Sequence, residues 1–300
     1  MMDSPVDEPV VLASHVATVG AISVRRALPQ RQQRTVGAWC FADHLGPASV
    51  TEQRGLDIGP HPHIGLQTVT WLTAGEALHR DGLGTEQIIR PGQLNLMTAG
   101  GGVAHAEEAT GRYTGRLEGI QLWVALPEAT RHGPAAFEHH ASLPRFEEPA
   151  LDVTVLVGSY GGAASPTRHD TPLLGLDLAL RAESLVPLSP EFEHALIVLE
   201  GAVSAPGASL LPGQIAIWRP GRDAMRLVPH EPSRAILLGG PPFPETISMW
   251  WNFVARTREE IAVAAQSWRE RDGRFAPVAS TLARIEAPGL PWHLGERPQS

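Results

Sequence analysis

The chain has 300 residues, 43% hydrophobic and 19% charged, the composition of a soluble globular protein with about two domains and a substantial core. Its net charge of -8, with no basic run to offset it locally, argues against a general nucleic-acid binder, because neutralising phosphates takes clustered Lys and Arg. All 24 basic residues are arginine, which excludes Schiff-base and P-loop lysines, and the single cysteine, Cys40, excludes an intrachain disulfide and thiolate metal clusters.

The N-terminus, MMDSPVDEPVV, is acidic and proline-broken, unlike a signal peptide, and no apolar run approaches the ~20 residues of a membrane span. A cytoplasmic location without membrane contact is the expectation. Cys40 has no sequence neighbour that would lower its pKa and reads as core. Asp43 and His44 read either as a solvated turn or as pocket groups. His61-Pro-His63 then precedes a strand-like run, Gln67–Leu72. His79 and Asp81 fall in what reads as a loop between strands, either a solvated turn or a pair that holds the second nitrogen of a ligating imidazole. The turn Arg90-Pro-Gly-Gln93 follows, and then Ala99-Gly-Gly-Gly102. No helix follows this glycine run, so it is a tight turn and not a phosphate cradle. It leads into His105-Ala-Glu107.

Further strand-like runs are Gln121–Ala125, Val153–Val157, Ala195–Leu199, Gln214–Trp218 and Arg234–Leu238. Short apolar runs between frequent Gly and Pro predict an all-β sandwich or barrel. The pattern also repeats. A strand ending at Gly75, then Arg90-Pro-Gly-Gln93 and another strand, is matched by Leu196–Gly201, Leu211-Pro-Gly-Gln214 and Ile215–Trp218, which predicts a duplicated β-domain. The Pro-, Ala- and His-rich stretch Pro127–Pro149 is the expected junction, dividing the chain into 1–133 and 134–300. Trp250-Trp251 reads as an aromatic pair packing the terminal helix rather than as a ligand-stacking platform. Thr257-Arg-Glu-Glu260 has capping-box form, and Ile261, Ala265 and Trp268 share one helical face. Beyond Phe275, Pro277, Pro288, Pro291 and Pro298 make the 276–300 tail either a surface strap or partly disordered.

The two pairs with i, i+2 spacing carry the chemistry. Side chains two apart on a strand share a face, so two such strands brought together aim three imidazoles and one carboxylate at a point. Forty-one residues separate the pairs, enough for a hairpin excursion in a small antiparallel barrel. Neutral imidazoles with one carboxylate suit Fe(II), Mn, Ni, Cu or Zn better than Mg or Ca, and four ligands on an octahedral ion leave positions open for chemistry. With 13 histidines an HxH can arise by chance, as His139-His140 shows, but the HxE after a second strand favours the metal.

Residues His61–Thr70, His79-Arg-Asp81, Arg90–Gln93 and Met97–Glu107 resemble the pirin family of the cupin superfamily. Phe41–Pro47, Gly119–Val124, Gly239-Gly240 and Asn252 with Thr257–Glu260 extend the likeness from about Val16 to Phe275. The general cupin pattern has a Glu a few residues after HxH; here that region holds Gln67 and the Glu lies beside the third His, which is itself pirin-like. The resemblance implies an all-β bicupin, two jelly-roll-like barrels facing each other with a short C-terminal helix. It also implies one metal ion, usually iron, in the first domain, with His61, His63, His105 and Glu107 as ligands. The second half fits a metal-free domain: His194 is the lone His where HxH is expected, and Ile215–Gly221 has no HxE. Bacterial pirin-like proteins are associated with quercetin 2,3-dioxygenase activity. The implied partners are a small aromatic substrate and dioxygen, with Glu107 also the catalytic base for a flavonol hydroxyl. The alternative is a non-catalytic iron-binding redox sensor or transcriptional co-regulator acting through a protein partner. A third reading is a cupin isomerase or hydrolase using Zn²⁺ as a Lewis acid.

Overall fold

The computed structural model describes residues 8–292. All six strand-like runs read from the sequence lie in strands, and the 13-residue segment Arg258–Glu270 is the one α-helix among the described residues. No helix of these residues is long and apolar enough to cross a membrane.

Two seven-stranded antiparallel sheets dominate, one in each half, and each is covered on its outer side by a four-stranded sheet. Each large sheet buries both faces, which is why its strands read as continuous apolar runs and not as strict alternation. In Glu193–Glu200, Leu196 and Val198 face the second barrel's interior, while Ala195, Ile197 and Leu199 join a core that also holds Val69, Trp71 and Leu122 of the first half. The large sheets therefore pack back to back. Polar groups in this seam are paired: Trp71 Nε1 donates to Asp177 Oδ2 at 2.9 Å, and Arg234 grips the same carboxylate. Cys40 is buried in the first half, and burial pushes its thiol up to about 12, which fits the expected inert core role.

Sheet membership crosses the expected 133/134 division at both ends. Val10–Ala13 pairs with Gln214–Trp218 of the second large sheet, and Ala136–His140 pairs with Leu94–Thr98 of the first. The helix also leans on the first half. Thr257 caps it by accepting from the Glu260 N–H, Glu260 accepts from the Arg256 N–H, and Ile261, Ala264 and Ala265 pack with Ile64 and Phe253. Arg131 holds Glu260 with two hydrogen bonds. The described part of the tail is a strap. Ile285 N–H donates to the Pro60 carbonyl at 2.9 Å, and Trp268 Nε1 donates to the Ile285 carbonyl at 2.9 Å. Gly59 is needed beneath it, since a Cβ there would stand 2.0 Å from the Ala283 carbonyl oxygen. Residues 293–300, the rest of the expected tail, lie outside the described residues.

Candidate metal centre

Both sequence pairs lie in the first half's small sheet. His61 and His63 end the strand Ile58–His63, and His105 and Glu107 sit in Val103–Glu108, which pairs antiparallel with it and places His105 opposite His61. The turn before His105 is tight: Gly102 N–H donates to the Ala99 carbonyl at 2.9 Å, and Gly100 has φ +51. A Cβ on Gly100 would lie 2.0 Å from the Gly133 carbonyl oxygen, so glycine is required there.

The ligand nitrogens of His61, His63 and His105 all lie within 4.8 Å of one another, and all three residues are buried. Their protonation is fixed by what the other nitrogen meets. His61 Nδ1–H donates to the Gly59 carbonyl at 2.9 Å and His63 Nδ1–H to the Asn252 carbonyl at 3.0 Å, since a carbonyl can only accept. Both Nε2 atoms are then bare lone pairs. His63 Nε2 and His105 Nε2 face each other at 3.0 Å. Burial pushes His61 down to about 4 and holds His63 and His105 well below the usual histidine range, with the neighbouring imidazoles adding to the effect. The bare Nε2 atoms of His61 and His63, with His105 Nε2 beside them, can be bridged by a cation, or in its absence by a proton on His105 Nε2. The donor set therefore fits a first-row metal ion.

Glu107 differs from this expectation in one respect. It is buried and lines the same cavity, but it does not belong to the group of three whose ligand atoms converge. The register shifts between His105 and Glu107, and the extra residue belongs to the Ile58–His63 strand, so Glu107 stands opposite Ile58 and not opposite a residue of the His61-Pro-His63 pair. Burial pushes the Glu107 carboxyl up to about 7.

The three histidines floor a half-open cavity of about 340 Å³, a size in the range of small-molecule sites. Its walls come from distant segments that the sequence alone does not connect. Phe41 and Trp123 stack with centroids 3.9 Å apart, Trp123 meets His63 edge-on, and the Arg26 guanidinium lies 4.6 Å over the Phe41 ring. Asp43 belongs to the wall, held by Arg26 at 2.8 and 2.7 Å, whereas His44 is turned to Glu118. Trp251 both packs near the helix and lines the cavity, so the expected packing role is only part of its placement. Ile285 of the strap closes one side.

Two expectations are corrected. His79 and Asp81 are not in a loop; they lie on the buried strand Ala77–Asp81, with His79 opposite Glu107 and Asp81 opposite His105. Burial pushes the Asp81 carboxyl up, but hydrogen bonds from His79 and Thr85 outweigh it and hold the group below the usual range. Nor does His194 occupy the HxH place of the second half. It pairs with Trp218 and Gly239 as Thr68 pairs with Met97 and Trp123, which puts it one strand later.

The pirin family profile matches residues 21–124, and that of the pirin C-terminal cupin domain matches residues 175–276. The chain belongs to the pirin family. Its two barrels are accordingly cupin domains. A Pseudomonas aeruginosa pirin relative named "Putative quercetin 2,3-dioxygenase" is 47% identical over 278 residues, covering 92% of this chain and 88% of its own. A "Pirin-like protein" of Caulobacter vibrioides is 36% identical, covering 84% of this chain and 89% of its own. The crystal structure of a quercetin 2,3-dioxygenase from Acinetobacter baumannii superposes with a TM-score of 0.92 at 41% identity, covering 96% of this chain and 97% of that one.

Proposed function

We propose that this pirin is an iron-dependent dioxygenase that opens the central ring of a flavonol such as quercetin. The observation that carries the proposal is the joining of three neutral, converging imidazoles to an aromatic-walled cavity that also holds the buried Glu107 carboxyl. The 47% identical relative and the Acinetobacter structure support the same reading through their names.

In this proposal His61, His63 and His105 hold Fe(II), with Glu107 as fourth ligand; Mn, Ni, Cu or Zn suit the same donors. The ion supplies Lewis acidity toward the flavonol hydroxyl and a route for electrons between the substrate and dioxygen. The protein's own groups do the rest. Phe41 and Trp123 offer a flat apolar wall for the planar substrate. Asp43 neutralises Arg26, so the wall carries no free cation. Glu107 would take the hydroxyl proton, a role that suits a buried carboxyl which burial pushes up in the metal-free protein. A carboxylate cannot ligate fully and accept a proton at once, so Glu107 would serve as base only with an oxygen free of the ion. Its place outside the tight three-histidine group is consistent with that freedom.

Fe(II)-loaded protein mixed with quercetin in air is expected to bleach the flavonol absorbance and release carbon monoxide. Metal-loaded protein that binds quercetin without turnover would sink the dioxygenase reading.

A further inference from the structure

The three histidines send their Nδ1–H groups to different kinds of acceptor. His61 and His63 use backbone carbonyls, whose direction the fold dictates. His105 instead faces another imidazole, His79, with the two Nδ1 atoms 3.4 Å apart. On the far side His79 Nε2 lies 3.1 Å from Asp81 Oδ2. Asp81 is committed at both oxygens, because its Oδ1 accepts the N–H groups of Leu83 and Thr85 at 2.9 Å each. The polarity of the chain is therefore set at the Asp81 end. Asp81 can only accept, so His79 carries its proton on Nε2 and offers the Nδ1 lone pair. His105 Nδ1–H then has an acceptor, which favours a bare Nε2 over the alternative bond from Nε2–H to His63 Nε2. Nothing in the chain can swing away: His79 and Asp81 are buried, and the His79 ring stacks on Phe137 with centroids 4.5 Å apart at 23°.

We propose that His79 and Asp81 are positioning residues that fix the tautomer and ring orientation of His105, and through it the affinity of the metal centre. The inference rests on the metal-binding reading above and goes beyond its ligand set. It makes an asymmetric claim about Asp81. In Asp81→Asn the amide oxygen stays with the Leu83 and Thr85 N–H groups, so the new NH₂ turns to His79 Nε2. Each hydrogen bond then reverses, and His105 is driven to carry its proton on Nε2, the atom that faces His63. In His79→Phe the acceptor vanishes while the stacking ring stays. In His79→Asn an amide oxygen takes the place of Nδ1, and the acceptor is kept.

Two readouts test this. Imidazole ¹⁵N NMR of the metal-free protein reads the His105 tautomer, expected as Nδ1–H in the unaltered chain and in His79→Asn, and as Nε2–H in Asp81→Asn. Competition with a chelator, using Zn(II) and anaerobic Fe(II) as probes, reads affinity. Asp81→Asn and His79→Phe are expected to bind about 10–100-fold more weakly, and His79→Asn within about threefold of the unaltered chain. A general loss of stability would not sort the variants in this order, and melting curves check that each is folded. Where His79→Phe does not fold, Asp81→Asn decides. Unchanged affinity and an unchanged His105 tautomer in folded Asp81→Asn overturn the proposal. If the unaltered chain takes up neither metal, the metal-binding reading fails. The NMR arm then still decides whether Asp81 sets the His105 tautomer.

Discussion

The two barrels share a strand plan, and the contrast between their interiors locates the chemistry. In the first, His61 pairs with His105; in the second, Val186 of Ser184–Pro187 pairs with Met225 of Ala224–Pro229 in the equivalent sheet. Following that register, His61-Pro62-His63 corresponds to Val186-Pro187-Leu188, and His105 and Glu107 correspond to Met225 and Leu227. Val186, Met225 and Leu227 are wholly buried in one apolar cluster, with Leu188 packed against it. The same backbone thus supports either a polar centre with a cavity or a filled core. The cost falls on the first barrel, which buries four groups where the second buries hydrocarbon.

The largest expected effect comes from writing the second barrel's residues into the first. His63→Leu with His105→Met removes two of three converging nitrogens. Metal content should fall to background and quercetin turnover with it, a loss beyond the ~10–100-fold that outer partners command. The melting temperature should hold or rise, since buried polar rings give way to the apolar side chains that fill the second barrel. Retained metal in this variant would mean that the ligands lie elsewhere.

Next comes the alkaline limb of stability. An unfolded chain ionises Glu107 near the ordinary 4.5, whereas the fold resists until about 7. The folded metal-free protein is thus penalised as pH rises through that window, by about 3 kcal/mol once both are passed. Glu107→Gln should lift urea stability by roughly this amount at pH 8 in chelator and change little at pH 4. The second barrel has Leu227 at this place and no such liability.

On the acid side the second barrel has one liability of its own. His194 is fully buried, neither ring nitrogen has a well-formed hydrogen bond among the described residues, and burial pushes it down to about 4 against a weaker opposing effect of the Phe192 backbone. The unfolded chain takes up the proton below about 6.5, so stability falls as pH drops from there toward 4, alongside the losses from His61, His63 and His105. His194→Leu should recover about 2 kcal/mol at pH 5 and leave metal affinity unchanged. Altered affinity would show that the barrels are coupled across the seam.

The convergence of His61, His63 and His105 is legible because i, i+2 spacing on a strand is a local signal, and so are the six strands and the Pro-Gly-Gln turns, which precede equivalent strands in both halves. The turn also explains the misplacement of the second half's empty site. Pro-Gly-Gln marks the strand before the HxE strand, so Ile215–Gly221, which follows it directly, covers the strand Gln214–Trp218, and the HxE place lies on Ala224–Pro229. His79 and Asp81 read as a loop because a polar HRD segment carries no apolar alternation; their burial, with Phe137 stacked on His79, is a tertiary fact. The strand exchange of Val10–Ala13 and the walls from Arg26, Trp251 and Ile285 depend on contacts across the whole chain, for which no local pattern exists.

The smallest effect concerns the wall, where the barrels differ by one aromatic pair. Phe41 opposite Trp123 in the first barrel corresponds to Leu174 opposite Gly239 in the second. Stacked rings are worth about 0.5–1.5 kcal/mol beyond the area they bury, so Trp123→Leu should weaken quercetin binding by about 2–10-fold. Because Trp123 also meets His63 edge-on, a role in holding the metal is the competing account of its presence. The two separate cleanly. As a substrate wall, Trp123→Leu raises KM and leaves iron content and chelator competition unchanged; as a support for His63, it lowers iron content first and turnover in proportion. His63 is already held by the Asn252 carbonyl at 3.0 Å, a bond the substitution does not touch, so the first outcome is expected.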